Sequence, residues 1–166
     1  MADNYGKSWE TEFRSGWKRS FPNGVGWVYR LADQMSGYKD TSGNPCDFLA
    51  HAKGKLFMVE CKSHKGASIP FTAIIQYSRL LNHKGFEDIH PGILIWFSDK
   101  NLVFWVDINE AEKMYNNGEK SIGIRMLDDP QYNILSLPFP PIKGNGTYPK
   151  VDYNYLINYY KEANNG

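Results

Sequence analysis

The chain has 166 residues, of which 42% are hydrophobic and 15% aromatic, so we expect one folded domain over residues 1–166 and exclude a disordered chain. The formal net charge of +1 is weak evidence about partners. The longest apolar stretches, residues 92–97 and 102–106, are too short to cross a bilayer, so no membrane association is expected. Two cysteines, Cys46 and Cys61, and no signal-peptide pattern predict a cytoplasmic protein with reduced thiols.

Helix and strand patterns follow one another along the chain. Aromatic residues recur every four positions at Trp9, Phe13, Trp17 and Phe21, which predicts a first helix over residues 6–20. Next come a predicted strand at residues 27–31 and a polar, glycine-bearing loop or short stalk at residues 32–45. Further strands are predicted at residues 46–50, 56–61, 92–97, 102–107 and 121–127, and further helices at residues 70–82, 109–115 and 153–163. This order predicts an α/β fold, a mixed β-sheet flanked by α-helices.

Two acidic residues and a lysine lie on two adjacent predicted strands. If these strands form a hairpin that turns at residues 53–54, Asp47 lies opposite Glu60, just as Leu49 lies opposite Met58. Lys62 is two residues beyond Glu60 and therefore shares its face. The alternate residues of the second strand point the other way, into a core: Phe57, Val59 and Cys61.

This arrangement is suited to phosphodiester hydrolysis. Two carboxylates held side by side repel each other unless a cation lies between them, and oxygen-only ligands favour Mg²⁺ or Mn²⁺. A neighbouring lysine supplies positive charge for a phosphate oxygen or an attacking water. The alternative is that Asp47, Glu60 and Lys62 form ordinary ion pairs at strand ends, because an acid two residues before a lysine is a common pattern.

The spacing Pro45-x-Asp47, followed by Glu60-x-Lys62 on the next strand, resembles the PD-(D/E)xK nuclease superfamily. The resemblance implies a restriction-endonuclease-like fold and a Mg²⁺-dependent endonuclease, for which Mn²⁺ would substitute. It also implies that Asp47 and Glu60 bind the metal and that both, together with Lys62, are catalytic.

Further motifs are similar to those of Holliday junction resolvases of the RecU and archaeal Hjc kinds. Gly6-Lys7-Ser8-Trp9-Glu10 resembles the start of their first helix, and Tyr29-Arg30 followed by Ser36-Gly37 resembles the strand and loop of the archaeal group. Gln76 resembles the metal-site glutamine of the RecU group. The resemblance covers residues 5–107 and implies a homodimer that resolves four-way DNA junctions in recombination and repair. Its location would be the nucleoid, or the host cytoplasm if the protein is phage-encoded.

Two departures separate the chain from the RecU pattern. Pro45 stands where that family has a metal-site threonine, and the loop at residues 32–44 is shorter than the RecU stalk.

Glu10 is a candidate fourth catalytic residue. On an ideal helix it lies about 60° from the centre of the aromatic stripe, closer than Glu12, so its carboxylate is the better placed of the two to reach inward to a metal or its water. The alternative is a surface ion pair between Glu10 and Arg14.

Basic and polar residues near this hairpin are candidate DNA contacts. Four lysines against one acid between residues 50 and 66 suggest a basic patch, although such patches are often only solvated surface. Ser68 also has an alternative role as a helix cap. The candidate contacts are Lys7, Arg30, Ser36, Lys39, Lys53, Lys55, His64, Lys65 and Ser68.

Two other functions remain open from the sequence. One is a different nuclease of the same superfamily, of the repair or restriction type. The other is a non-catalytic DNA-binding protein on the same fold, against which the intact set of Asp47, Glu60 and Lys62 argues.

Overall fold

The structure, a computed structural model, describes residues 5–32, 43–74, 77–144 and 148–163, with the backbone alone for residues 5–7. The helices are α1 (Tyr5–Ser20), α2 (Tyr77–Leu81), α3 (Ile108–Asn116) and α4 (Asn154–Ala163). The strands are β1 (Gly26–Arg30), β2 (Phe48–Ala52), β3 (Lys55–His64), β4 (Ser68–Pro70), β5 (Ile89–Phe97), β6 (Leu102–Asp107), β7 (Ser121–Gly123) and β8 (Leu135–Ser136). In these parts of the chain no helix is long and apolar enough to span a bilayer.

Six strands form one mixed sheet in the order β1-β2-β3-β5-β6-β8. β3 and β5 are parallel, and the other neighbours are antiparallel. The parallel pair needs a crossover connection, which here contains β4 and α2. β4 pairs with β7 in a separate two-stranded sheet. The predicted α/β class, a mixed sheet flanked by helices, is therefore confirmed.

α1 covers one face of the sheet through its aromatic stripe. Trp9, Phe13 and Trp17 are each at most 1% exposed and belong to one core cluster with Phe57 and Val59 of β3. The four-residue spacing places these side chains on a single helix face. Removing their apolar surface from water stabilises the packing of α1 on the sheet. The predicted first helix and its buried face are confirmed.

α4 lies on the same face and is anchored by polar contacts inside the core. The hydroxyl of Tyr160 accepts a hydrogen bond from Trp105 Nε1 at 2.7 Å and donates one to Asp107 Oδ2 at 2.5 Å. Asp107 also caps α3, because its Oδ1 accepts the backbone N–H of Asn109 at 2.8 Å. The predicted helices at residues 109–115 and 153–163 are confirmed within one residue at each end.

Two predicted elements are wrong. Residues 70–82 do not form one helix: Pro70 ends strand β4, a 3₁₀ turn follows at Phe71–Ala73, and α2 begins at Tyr77. Pro is suited both to a first helical turn and to a short edge strand, and the pairing with distant β7 selects the strand. This also excludes Ser68 as the cap of such a helix, since it is the first residue of β4.

The predicted edge strand at residues 121–127 is shorter than expected. Only Ser121–Gly123 pairs, because β4 offers three residues as partners and the ladder ends where Ser68 meets Gly123. The chain then turns into the 3₁₀ segment Ile124–Asp128.

Candidate active site

The β2–β3 hairpin has the predicted register. Lys53 and Gly54 have φ values of 50° and 78°, which allow the two-residue turn whose twist matches that of the strands. The backbone N–H of Asp47 donates to Val59 O at 3.0 Å, the same residue that pairs with Phe48, so Asp47 remains bonded to β3. The Asp47 carboxylate accepts the N–H of Cys61 and lies close enough to Glu60 to raise its pKa. The paired positions include Ala52 with Lys55, Leu49 with Met58 and Phe48 with Val59.

Side chains of β3 alternate between the two faces of the sheet, so the core beneath α1 and the candidate site lie on opposite faces. Phe57, Val59 and Cys61 pack in the cluster beneath α1, while Met58 lies in the second cluster on the opposite face. Glu60, two residues from Met58, projects from that second face and is 1% exposed. β2 pairs only with Lys55–Val59, whereas β3 continues to His64 beside β5. The acidic pair thus lies where β2 begins and the β3 edge is no longer covered by it.

The site residues are held by specific contacts. Asp47 Oδ2 accepts the backbone N–H of Cys61 at 2.9 Å, which orients this carboxylate against β3. Lys62 Nζ lies 3.2 Å from Glu60 Oε1, and its side chain is 25% exposed. A buried carboxylate is therefore paired with a lysine whose side chain is partly exposed. The structure brings together Asp47, Glu60 and Lys62 as the sequence predicted.

Glu10 joins this cluster through an ion pair that the sequence did not reveal. Arg30 Nε donates to Glu10 Oε2 at 3.0 Å, and Arg30 Nη2 lies at the same distance from that oxygen. The alternative partner considered from the sequence, Arg14, lies on α1 itself, whereas the observed partner comes from β1. Glu10 and Arg30 both influence the pKa of Asp47, in opposite directions, so their charges are part of the site.

Burial and like charge make the carboxylates hard to ionise. Burial raises the pKa of Glu60 to about 7, and the negative charge of Asp47 adds to this increase while Lys62 opposes it. Burial and then the charge of Glu10 raise the pKa of Asp47, whereas its hydrogen bond from Cys61 and the cations Lys62 and Arg30 oppose the increase. Ionisation of both carboxylates is therefore favoured by an added cation.

The metal-free protein should lose stability as Glu60 ionises. The pKa of Glu60 is near 4.5 when unfolded and about 7 when folded, so its contribution is complete below pH 4.5 and is lost as pH rises through 7. Burial lowers the pKa of His90 to about 4, so His90 lowers the stability of the folded protein as the pH falls below 6.5. This effect is the same in the wild type and in a variant at position 60. We expect the free energy of unfolding of Glu60→Gln, relative to that of the wild type, to be higher at pH 8 than at pH 6 in EDTA. Denaturant titrations at both pH values measure this difference, and a constant difference would contradict the assigned burial of Glu60.

The donor set fits a hard divalent ion. Asp47 and Glu60 offer only oxygen ligands, and Mg²⁺ is commonly held by one or two carboxylates, with water and phosphate oxygens as its other ligands. In the described ranges no three His, Cys, Asp or Glu side chains group closely enough to form a metal site by themselves. Gln76, predicted as a further ligand, lies outside the described residues.

The predicted basic patch is divided between the two ends of β3. Ten strand residues span about 30 Å, which separates Lys53 and Lys55 from His64 and Lys65. Lys55 is only 7% exposed and its Nζ lies 3.4 Å from Asp88 Oδ1, a position unsuited to a phosphate contact.

The other candidate DNA contacts differ in their surroundings. Lys53 is exposed at the hairpin tip, and its Nζ lies 3.4 Å from Asn154 Oδ1. Lys65 and Ser68 are exposed and His64 is half-buried, near the end of β3 that carries Lys62. Ser36 and Lys39 lie outside the described residues, as does the side chain of Lys7.

Comparison with solved structures identifies the class of fold. The chain has the fold of Archaeoglobus fulgidus Hjc, a Holliday junction resolvase, with a TM-score of 0.52 and 15% sequence identity over 72% of this chain and 89% of that chain. It is also similar to the SPbeta prophage-derived protein YotM of Bacillus subtilis (strain 168), itself uncharacterized: the two are 29% identical over an alignment of 171 positions that covers 95% of this chain and 85% of YotM. No protein-family profile matches the chain. The expected nuclease-like fold is thereby confirmed.

Proposed function

We propose that the protein is a Mg²⁺-dependent endonuclease that cleaves branched DNA, four-way junctions in particular. The observation that carries this proposal is the buried Asp47–Glu60 pair with Lys62 Nζ 3.2 Å from Glu60, on a fold shared with a Holliday junction resolvase. Buried like charges are costly, and a divalent ion is the simplest ligand that compensates them. Mn²⁺ has the same preference for oxygen ligands and should substitute.

Asp47 and Glu60 would hold the ion, and each has a contact that fixes its position. Asp47 is oriented by the N–H of Cys61, and Glu60 by Lys62. When bound, the ion would polarise the scissile phosphate and lower the pKa of an attacking water. Lys62 carries a positive charge 3.2 Å from Glu60 and would offset the negative charge that develops on the phosphate oxygens.

Glu10 and Arg30 would set the charge around this centre. Glu10 is close enough to raise the pKa of both Asp47 and Glu60. Its ion pair with Arg30 holds the side chain of Glu10 against β1 instead of in solvent. Glu10 is thereby placed to accept a hydrogen bond from a water molecule at the edge of the site.

Resolution of a four-way junction needs two symmetric cuts, which a homodimer with two active sites would provide. The protein would then act in DNA recombination and repair, in the cytoplasm or nucleoid. Another nuclease of the superfamily would share this chemistry but prefer a different DNA.

Cleavage assays test the proposal. Purified protein is incubated with a labelled four-way junction, a flap, a duplex and a single strand, with Mg²⁺, Mn²⁺ or EDTA. We expect paired nicks near the branch point of the junction, only with a divalent ion. Equal cutting of duplex and junction would overturn the junction preference, while cleavage of none of these DNAs would overturn the nuclease and favour a DNA-binding protein.

A further inference from the structure

The outermost strand of the sheet, β1, exposes two large aromatic side chains. Trp27 is 50% exposed and Tyr29 is 61% exposed, whereas Val28 between them packs against the core beneath α1. Because side chains alternate along a strand, Trp27 and Tyr29 project from the opposite face, the face from which Glu60 also projects. Exposing two large apolar rings to water is unfavourable, and such exposed patches commonly mark binding sites.

This aromatic surface is continuous with the candidate active site. Tyr29 is paired with Leu49, which is two residues from Asp47 along β2, a rise of about 7 Å. Leu31 N donates to Asp47 O at 2.9 Å, so the residue that follows β1 is bonded directly to a residue of the candidate site. A DNA strand whose phosphate reaches Asp47 and Glu60 would have its neighbouring nucleotides over β1.

One of the two rings is already held in position. Trp27 is stacked on His51 of β2, with ring centroids 5.5 Å apart and an angle of 13° between the planes. His51 is Trp27's register partner, so the stack is built into the β1–β2 ladder. A fixed aromatic ring loses little conformational entropy when a second planar group stacks on it.

We propose that Trp27 and Tyr29 form a stacking platform for an unpaired base of the DNA strand being cleaved. This inference rests on the proposed function and narrows its substrate class to DNA with unstacked bases next to the cut. Aromatic side chains bind any exposed base through its π-face, whereas in a duplex the base faces are covered by their neighbours. Bases at a branch point can be unstacked, which would direct cleavage to branched DNA.

The occupant we infer is a base and not a protein partner. A protein seated on Trp27 and Tyr29 would cover the surface beside Asp47 and obstruct the DNA strand that must reach it. Charge agrees with a nucleic acid, because Lys62 lies at the active-site end of this surface. Aromatic rings beside a cation are a usual composition of a single-strand binding surface.

The test uses a four-way junction with 2-aminopurine at the branch point, and a fully paired duplex carrying the same label. Binding of the full chain is followed in EDTA, so that no DNA is cut. We expect the wild-type protein to change the fluorescence of the junction and not of the duplex. Trp27→Ala and Tyr29→Ala should each weaken junction binding by about tenfold and abolish the fluorescence change, while Trp27→Phe and Tyr29→Phe keep both. The salt dependence of binding should stay unchanged, because no phosphate contact is lost.

Tyr155→Ala is the matched control, since Tyr155 is 49% exposed on α4, on the other side of the sheet. Unchanged binding and fluorescence in both alanine variants, or an equal loss in Tyr155→Ala, would overturn the platform. So would sedimentation showing that Trp27→Ala converts a dimer to a monomer, which would make this surface a protein interface. If the wild type shows the fluorescence change but cuts nothing with Mg²⁺, the proposed nuclease fails and the platform stands. If it cuts junctions and the alanine variants bind normally, only the platform fails.

Discussion

Glu60→Gln should abolish metal-dependent DNA cleavage, with a loss on the order of 10³-fold or more. The change keeps the size of this buried side chain and removes the charge that would hold a divalent ion, whose effect on the transition state amounts to several kcal/mol. Asp47→Asn should have a similar effect, because a single remaining carboxylate binds Mg²⁺ poorly. Initial rates of junction cleavage, measured as a function of Mg²⁺ concentration, give both the loss of rate and the loss of apparent metal affinity.

The matched control for this experiment is Asp88→Asn. Asp88 is also an acid paired with a lysine of β3, at 3.4 Å from Lys55 Nζ, but at the opposite end of the strand. Its φ of 58° is one that asparagine tolerates, so the control should fold and cleave as wild type does. Full activity of Glu60→Gln, or cutting by the wild type in excess EDTA, would show that the acidic pair is not the catalytic centre.

Lys62→Ala should separate binding from catalysis. We expect Mg²⁺ and junction DNA to bind while the cleavage rate falls on the order of 10²–10³-fold, because the ammonium group acts on charge that appears only in the transition state. Lys62 opposes the increase in the pKa of Glu60, so its removal leaves Glu60 harder to ionise. Binding is therefore compared at pH 8.5, where more of Glu60 is ionised than at neutral pH.

Titration calorimetry for Mg²⁺ and single-turnover cleavage measure the two effects of Lys62→Ala independently. Lys84→Ala is the control, since Lys84 is a partly exposed lysine that pairs with Glu112 away from β3. Loss of Mg²⁺ binding in Lys62→Ala at pH 8.5 would mean that Lys62 acts by holding Glu60 in place. Its role would then be structural and not catalytic.

The hairpin that carries the site was predictable because every signal for it is local. Lys53-Gly54 marks the turn, and counting outward from it gives the observed pairs up to Phe48 with Val59, which leaves Asp47 next to the part of β3 that carries Glu60. Strand alternation then places Lys62 on the same face as Glu60. The sixteen residues from Asp47 to Lys62 thus contain three site residues and the geometry that groups them.

The errors occurred where structure depends on distant partners. Pro70 belongs to a strand because residues 121–123, about fifty positions later, supply the other half of the ladder. The lysines between residues 50 and 66 are neighbours in sequence but lie along an extended strand, so they do not form one patch. The partner of Glu10 was expected to be Arg14 if it formed an ion pair, and the structure pairs Glu10 with Arg30 because α1 packs beside β1.

The sequence by itself determined the class of fold, the aromatic face of α1, and the juxtaposition of Asp47, Glu60 and Lys62. These features follow from the side-chain periodicities of strands and helices, two and about 3.6 residues. Such periodicities can be recognised within a short segment of sequence. Only the tertiary structure decided that Glu60 is 1% exposed, that Glu10 is held by Arg30, and that Trp27 and Tyr29 share the face of the site. Burial and charge pairing depend on which distant segments pack together, and local periodicity carries no information about that packing.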